Sequence, residues 1–271
     1  MLVTGCSSGI GRATAERLAQ GRWTVYASAR RVESIEGLAA CRTLQLDVTD
    51  DASMRAAVDA IEAEHGSVGA LVNNAGYSQS GAVESVTIDE ARRQLETNVL
   101  GLARLTQLVL PGMRRANRGR IVNVSSMGGK LTFPGGGWYH ASKHAVEALS
   151  DALRFELQSF GVDVVVIQPG LIRTGFAEAA AGSIAIDPDD PYARFNQAVG
   201  AATAGAYDGG FARLLGGGPD TVARTIERAL SARRPRTRYR VTASARLLLT
   251  LRRLLPDRGW DALVGRAYPK P

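Results

Sequence analysis

The fold of this chain is decided by residues 2–20, which read LVTGCSSGIGRATAERLAQ. A short β-rich start leads into a glycine turn and then into a helical pattern. In this order, unpaired backbone N–H groups and the positive end of a helix dipole face a bound anion. Gly5, Gly9 and Gly11 would let the backbone approach a pyrophosphate and pack closely against a sheet. On its own, the turn is also compatible with a glycine-rich loop that has no ligand.

Strands and helices are predicted to alternate along the chain as far as residue 167. Runs of apolar and β-branched residues predict strands at 2–3, 24–28, 43–46, 70–73, 120–124 and 162–167. Helical spacing predicts helices at 11–20, 51–65, 89–115 and 139–160. Strands that are apolar on both faces and separated by helices form a parallel sheet covered on both sides. We therefore predict an α/β fold with a doubly wound parallel sheet, the Rossmann fold, as a single domain over residues 1–271.

Residues 175–218 depart from this alternation, because they contain clusters of Ala, Pro and Gly instead of a strand and helix pattern. Long loops in compact domains are usually lids or disordered segments. We interpret this insertion as a substrate lid that follows the last predicted core strand. The alternative is an insertion without function.

The net charge of +7 comes from the end of the chain. Residues 231–271 carry eleven Lys and Arg against two Asp, whereas residues 1–230 carry 22 basic and 24 acidic groups. Leucines between the basic residues suggest an amphipathic helix with a basic face. We interpret this basic C-terminal segment as a terminal helix docked on the domain, with contact to a membrane surface or partner as the alternative. Nucleic-acid binding is not expected, because no binding motif accompanies the charge.

Composition excludes several classes of protein. At 45% hydrophobic and 22% charged residues, the chain is neither disordered nor collagen-like. No apolar run reaches the roughly 18 residues that a membrane-spanning helix requires. The first residues lack the pattern of an export signal, so a cytoplasmic location is expected. Cys6 and Cys41 have no metal-ligand or CxxC spacing, which predicts free thiols and no metal site.

The end of the second predicted strand, Ala29-Arg30, indicates which nicotinamide cofactor would bind. An NAD site places Asp or Glu here to bind the ribose 2′-hydroxyl, whereas an Arg accommodates a 2′-phosphate. No carboxylate would repel the phosphate, and a guanidinium binds it in bidentate fashion. We predict NADP(H), with Arg30 and Ser8 nearest the phosphate. The alternative is that Arg30 and Arg31 are solvated surface residues.

A second motif, Tyr139-His140-Ala141-Ser142-Lys143, opens a predicted helix. Tyr139 and Lys143 are four residues apart, so both side chains lie on one helix face. The chain contains only three Lys among 33 basic residues, which suggests that a compact ammonium matters at this position. A nearby positive charge favours the phenolate and lowers the pKa of a tyrosine. In isolation, the pentapeptide is also compatible with an ordinary amphipathic helix.

Six motifs in this order resemble those of the short-chain dehydrogenase/reductase family. They span residues 1–174 and comprise Thr4-Gly5…Gly9-Ile10-Gly11, Asn73-Asn74-Ala75-Gly76, Thr97-Asn98-Val99, Ser125-Ser126, Tyr139…Lys143 and Pro169-Gly170…Thr174. The sequence looks most like the 17β-hydroxysteroid dehydrogenase-type and retinol dehydrogenase-type branch.

The resemblance implies a catalytic role for four residues. Tyr139 would be the general acid in carbonyl reduction and the base in alcohol oxidation. Lys143 would lower the pKa of Tyr139 and bind the ribose hydroxyls of the nicotinamide nucleotide. Ser126, thirteen residues before Tyr139, is preferred over Ser125 as hydrogen-bond donor to the substrate oxygen. Asn98 would position the water that links Lys143 to solvent.

The same resemblance implies the cofactor-binding set. Asp47 would contact the adenine, with a strand-end turn as its alternative role, and Asn73 would support the central sheet. His140 and His144 are assigned no role. Together with Tyr139 and Lys143, the predicted cofactor-binding residues are Gly5, Ser7, Ser8, Gly9, Ile10, Gly11, Arg30, Asp47, Val48, Asn74, Ala75, Gly76, Pro169, Gly170, Ile172 and Thr174.

These features predict an NADP(H)-dependent oxidoreductase that interconverts a lipophilic ketone or aldehyde with its alcohol. The alternative is a catalytically silent NADP(H)-sensing protein. The expected pocket walls are residues 127–138, residues 171–181 and the lid, with apolar side chains Leu131, Phe133, Trp138, Phe176 and Phe211. The resemblance also implies a homodimer or homotetramer formed through helices 89–115 and 139–160.

Overall fold

A computed structural model describes residues 1–38, 40–205, 214–266 and 268. Its centre is a seven-stranded sheet in the order β3-β2-β1-β4-β5-β6-β7, and every strand pair is parallel. The strands are β1 (Leu2–Val3), β2 (Tyr26–Ala29), β3 (Arg42–Gln45), β4 (Ala70–Asn73), β5 (Gly119–Val124), β6 (Val162–Gln168) and β7 (Arg238–Arg240). The predicted doubly wound α/β fold is confirmed. The strand order reverses between β1 and β4, and such switch points are where α/β sheets bind ligands.

Helices cover both faces of this sheet. They are α1 (Gly9–Ala19), α2 (Asp51–His65), α3 (Ile88–Leu95), α4 (Leu102–Arg115), α5 (Gly137–Glu156), α6 (Phe176–Gly182), α7 (Ala193–Ala204), α8 (Pro219–Ser231), α9 (Ala243–Leu254) and α10 (Asp257–Val264). Adjacent strand residues point to opposite faces. Leu71 therefore packs in the core under α2 and α4, and Val72 packs in the core under α1 and α8. Both β4 residues are fully buried, as expected for a strand covered on two sides.

The helix predicted at 89–115 is interrupted. Between α3 and α4, residues Glu96–Gly101 form a π-helical segment that contains Asn98. Such segments are frequent at functional sites. A Cβ on Gly101 would lie 2.2 Å from the carbonyl oxygen of Val48, so the helix packs here against the loop after β3.

The structure adds detail at two places in the C-terminal third. The insertion at 175–218 contains the helices α6 and α7, because its alanines favour helix more strongly than its glycines oppose it. Phe211 and the rest of residues 206–213 lie outside the described residues. The sequence pattern also missed β7, which has three residues and the charged pattern Arg-Tyr-Arg. Short, charged strands are typical of sheet edges, where alternation of apolar residues is weak.

The basic C-terminal segment forms helices α9 and α10 after β7. Ala245, Leu249 and Trp260 are buried against Met127 and Leu131, so the two helices pack on the domain next to the loop that follows β5. Among the described residues, no helix has both the length and the apolar character to cross a bilayer. Cys6 and Cys41 are both free thiols.

Candidate active site

A cavity of about 1120 Å³ lies at the carboxyl ends of the strands, where the strand order reverses. The loops after β1 to β6 form its walls. Ser126, Tyr139 and Lys143 line it together. All residues predicted to bind the cofactor also line it, with the exception of Gly11, which lies beneath the turn. The fold therefore brings the two groups of predicted residues into one cavity.

The glycine turn fits a pyrophosphate. Gly5 has φ +71° and Gly9 has φ +56°, a backbone conformation that favours glycine. A Cβ on Gly11 would lie 2.2 Å from the carbonyl oxygen of Gly5, so helix α1 packs on the turn without room for a side chain at residue 11. Helix α1 begins with no side-chain cap from Ser8 and no acidic residue in its first turn. Its positive end is therefore available to an anionic group.

The Asn73-Asn74-Ala75-Gly76 motif holds the turn on the sheet. The amide of Asn74 donates to the carbonyl oxygen of Thr4 at 2.9 Å, and Thr4 Oγ1 accepts the N–H groups of Asn74 and Ala75, both at 3.0 Å. Asn73 lies one layer deeper, where its amide donates to Asn123 Oδ1 at 2.9 Å. The motif thus supports the sheet through Asn73 and lines the cavity through the next three residues.

Where β2 and β3 end, Ala29, Arg30, Asp47 and Val48 line the cavity. Asp47 also forms the strand-end turn that the sequence offered as its alternative role, because its Oδ1 accepts the N–H of Thr49 at 2.9 Å. Asp47 and Arg30 thus both line the cavity, which is compatible with the predicted contacts to the adenosine part of a dinucleotide.

Arg93, which none of the sequence motifs includes, lines the same cavity. Among the described residues, neither Arg30 nor Arg93 forms an ion pair. Burial raises the pKa of Tyr77, and the positive charges of Arg93 and Arg30 oppose this rise, so both guanidinium groups lie near the same phenol. The pair Arg92-Arg93 was visible in the sequence, but only the packing of α3 decides which of the two faces the cavity.

Tyr139 and Lys143 lie in the first two turns of α5, on the face that lines the cavity. The Lys143 ammonium is 5.9 Å from the centre of the Tyr139 ring and donates to the carbonyl oxygen of Val124 at 2.9 Å. Burial lowers the pKa of Lys143 to about 8. Its positive charge, which favours the phenolate form of a neighbouring tyrosine, is therefore present below about pH 8 and lost above it.

Ser126 is oriented by the turn that follows β5. It caps the short helical turn Met127–Gly129, and its Oγ accepts the N–H of Gly128 at 3.0 Å. Because this contact uses a lone pair of the hydroxyl, the Ser126 O–H remains a donor for a ligand oxygen. Ser125 is 3% exposed, whereas Ser126 is only partly buried.

Asn98 is not on the cavity wall but directly behind it. Its amide oxygen accepts the N–H of Tyr77. Its amide nitrogen donates to the carbonyl oxygen of Tyr77 and to Ser142 Oγ, the latter at 3.1 Å. A Cβ on Gly76 would lie 3.0 Å from Asn98 Oδ1 and 3.7 Å from the Lys143 ammonium, so the two side chains meet at this glycine. The predicted link between Asn98 and Lys143 is thus compatible with their placement.

The far end of the cavity is apolar. Met127, Phe133 and Leu171 line it together with Phe176 and Ala179 of α6. The rings of Tyr139 and Phe176 lie 5.6 Å apart between centres. Two expected wall residues do not line the cavity: Leu131 is buried against α9 and α10, and Trp138 faces elsewhere. His140, which the sequence analysis set aside, does line it.

The fold and this cavity define a nicotinamide-dependent oxidoreductase of the Rossmann type. The family profile described as short chain dehydrogenase matches residues 1–183, and the chain belongs to this family. The resemblance based on the six motifs is thereby confirmed.

Two relatives and one solved structure match this chain over 97% or more of its length. NADPH-dependent 3-dehydrocapnine reductase of Ornithobacterium rhinotracheale is 36% identical over 97% of this chain and 94% of that protein. Human retinol dehydrogenase 5 is 35% identical over 100% of this chain and 89% of that protein. The solved structure of a short-chain dehydrogenase from Streptomyces avermitilis has a TM-score of 0.80 at 34% identity, covering 98% of this chain and 96% of that chain.

Proposed function

We propose that this protein is an NADP(H)-dependent oxidoreductase that interconverts a lipophilic ketone or aldehyde and the corresponding alcohol. The observation that carries this proposal is the convergence of Ser126, Tyr139 and Lys143 on one cavity that also contains the glycine turn. A protein that only senses the dinucleotide would need the turn and the lysine that binds the ribose, but it would not need Ser126 and Tyr139 beside them. Their presence supports the enzyme over the sensor.

The cofactor would be held by residues already described. The α1 N-terminus and the turn at Gly5 and Gly9 would bind the pyrophosphate, and Lys143 would bind the ribose hydroxyls. An ammonium has three donors, and only one is directed at Val124, so the others can reach the ribose. When bound, the cofactor supplies or accepts a hydride at the carbon that bears the oxygen.

The protein's own part in the reaction is movement of one proton and stabilisation of charge on oxygen. In reduction, Tyr139 donates its Oη proton to the substrate oxygen while Ser126 donates a hydrogen bond to the same atom. In oxidation, the phenolate takes the proton back. Lys143 favours the phenolate that reduction leaves behind, and Asn98 would position a water through which the proton is replaced.

Apolar side chains at the far end of the cavity support a lipophilic substrate. Phe133, Leu171 and Phe176 offer rings and a branched chain. An apolar wall binds chiefly by burial of apolar surface. We propose α6 as part of a substrate lid, because Phe176 and Ala179 of this helix line the cavity and the Phe176 ring lies next to that of Tyr139.

Consumption of NADPH by the purified protein tests this proposal, with a panel of steroidal, aromatic and medium-chain ketones and aldehydes. We expect turnover with NADPH that exceeds turnover with NADH at equal concentration. Tight NADPH binding without turnover of any compound would favour the sensor, and turnover with NADH alone would exclude the NADP assignment.

We also propose that the protein is a homodimer or homotetramer through α4 and α5. The outer face of α5 carries Ala141, Ala148, Ala152 and Phe155, all exposed, and Phe155 is 78% exposed. Small residues and one exposed ring on a long helix suit packing against a second copy. Sedimentation equilibrium should then give a mass that is a multiple of the single chain.

Arg30 and Arg93 are expected to set the preference for NADPH over NADH. Arg30→Ala should raise the KM for NADPH by about 10- to 100-fold, because a charge-assisted hydrogen bond contributes about 1.5–3 kcal/mol. Arg93→Ala should raise it by about 3- to 10-fold, because its exposed guanidinium would act through an attraction that solvent screens. The KM for NADH, which lacks the phosphate, should change by less than about twofold in both variants.

Arg92→Ala is the matched control for Arg93→Ala. Arg92 is the preceding residue on α3, but it pairs with Asp89 at 2.8 Å on the solvent side. The control should leave both KM values unchanged. Equal effects of Arg92→Ala and Arg93→Ala would show that the change is a general effect of charge, and no effect of Arg30→Ala would remove the basis of the NADP assignment.

A further inference from the structure

His140 follows the proposed proton donor directly and is 7% exposed. Both ring nitrogens are within hydrogen-bond distance of the loop that precedes α5. Nδ1 is 3.1 Å from the carbonyl oxygen of Gly128, and Nε2 is 3.1 Å from the N–H nitrogen of Phe133. The ring thus bridges two points of one loop that are five residues apart in sequence.

The protonation of this ring follows from its surroundings. Burial lowers the pKa of His140 to about 4, so the imidazole is neutral at physiological pH and carries one N–H. A backbone N–H can only donate, so Nε2 must be the acceptor toward Phe133 and Nδ1–H the donor toward Gly128. One tautomer therefore satisfies both contacts.

The loop is shaped around the ring. A Cβ on Gly128 would lie 2.5 Å from His140 Nδ1, and a Cβ on Gly136 would lie 2.7 Å from Nε2. Neither glycine has a positive φ, so space rather than backbone conformation accounts for glycine at both positions. The Phe133 ring also packs against the imidazole, with 6.0 Å between ring centres.

One residue connects this ring to Ser126. Gly128 accepts the His140 Nδ1–H through its carbonyl oxygen, and its own N–H donates to Ser126 Oγ at 3.0 Å. The orientation of the Ser126 hydroxyl therefore depends on where Gly128 is held. Displacement of a catalytic group by about 1 Å can reduce a rate by about 10²-fold.

We propose that His140 is a positioning residue for the reaction: it bridges Gly128 and Phe133 and thereby holds Ser126 in the orientation that binds the substrate oxygen. This inference rests on the proposed function, in which Ser126 is a donor to that oxygen. The ring of His140 lies 5.6 Å from that of Tyr139 between centres, but in this role it acts on Ser126 through Gly128 and transfers no proton.

The first test uses His140→Phe, which keeps a buried aromatic ring but removes both hydrogen bonds. Hydrogen exchange of the backbone in residues 127–136 should become at least about tenfold faster, because two contacts that close the loop are lost. His65→Phe is the control, since this histidine ends α2 and does not line the cavity. Unchanged exchange in His140→Phe would overturn the bridge, and this readout needs no substrate.

The second test is a double-mutant cycle with Ser126→Ala, measured on the best carbonyl substrate. His140→Phe alone should lower kcat by about tenfold with the Kd for NADPH within about twofold, and His65→Phe should change neither. In the Ser126→Ala background, His140→Phe should lower kcat by less than about twofold, because the group that it positions is already absent. If His140→Phe lowered kcat by the same factor with and without Ser126, the positioning role would be overturned.

His140→Gln is the second variant, in case the phenylalanine is not tolerated. Its amide offers one donor group and one acceptor, and it should recover part of the kcat and part of the protection of residues 127–136. Absence of turnover in the wild-type protein would count against the proposed function. The hydrogen-exchange measurements alone would then show whether His140 bridges Gly128 and Phe133.

Discussion

Replacement of Tyr139 by phenylalanine is expected to lower kcat/KM for carbonyl reduction by about 10²- to 10⁴-fold, the usual contribution of a positioned general acid. The substitution removes one oxygen atom and keeps the ring, which packs against His140 and Phe176. The substrate oxygen would then have to take its proton from solvent in a cavity whose far end is apolar. NADPH binding should change by less than about threefold, because Lys143 and the glycine turn remain.

Tyr239→Phe provides the control for this loss. Tyr239 lies on β7 and does not line the cavity, and its hydroxyl accepts the N–H of Arg236 at 3.2 Å. This variant should retain full activity. If Tyr139→Phe kept more than about a tenth of the wild-type rate, another group would have to be the proton donor.

Ser126→Ala is expected to lower kcat by about 10²- to 10³-fold, the cost of removing one preorganised donor to a developing oxyanion. The serine sits beside the carboxyl end of β5, with its Oγ already bonded to Gly128, so its O–H needs no reorganisation to reach the substrate oxygen. The KM should change less than kcat, because charge on the oxygen builds up in the transition state rather than in the bound ketone.

The comparison with Ser125→Ala discriminates between the two neighbouring serines. Ser125 is the other serine of the motif and is almost fully buried. Its removal should lower kcat by less than about threefold. A larger loss in Ser125→Ala than in Ser126→Ala would contradict the choice of Ser126, which was made from its spacing to Tyr139.

Most of the fold could be predicted from local patterns. The strands at 70–73 and 2–3 and the helix at 51–65 have the predicted bounds. In these segments the apolar period, the flanking turn residues and the caps all agree: Asp50 caps α2 and Gly66 ends it with φ +74°. The prediction failed where local signals were weak, namely in the three-residue edge strand β7 and in the alanine-rich helices α6 and α7.

The candidate site was also predicted only in those parts that depend on local patterns. The part of the site that was predicted depends on glycines and on short spacings. Examples are Gly5 to Gly11 and Tyr139 to Lys143, which the sequence displays directly. Arg93 and His140 could not be found in this way. Each has a similar residue nearby on its own helix, Arg92 for Arg93 and His144 for His140, and no short-range pattern indicates which side chain turns inward.

By itself, the sequence determined the parallel α/β fold, the glycine turn that suits a pyrophosphate, and the tyrosine and lysine on one helix face. These features follow from backbone geometry and from the period of strand and helix, which act over a few residues. Only the tertiary structure decided that Arg93 joins Arg30 at one wall and that His140 bridges Gly128 and Phe133. Those contacts arise from the packing of α3 and α5 against loops from other strands, and the rotation of a helix about its axis is set by all the residues that it buries.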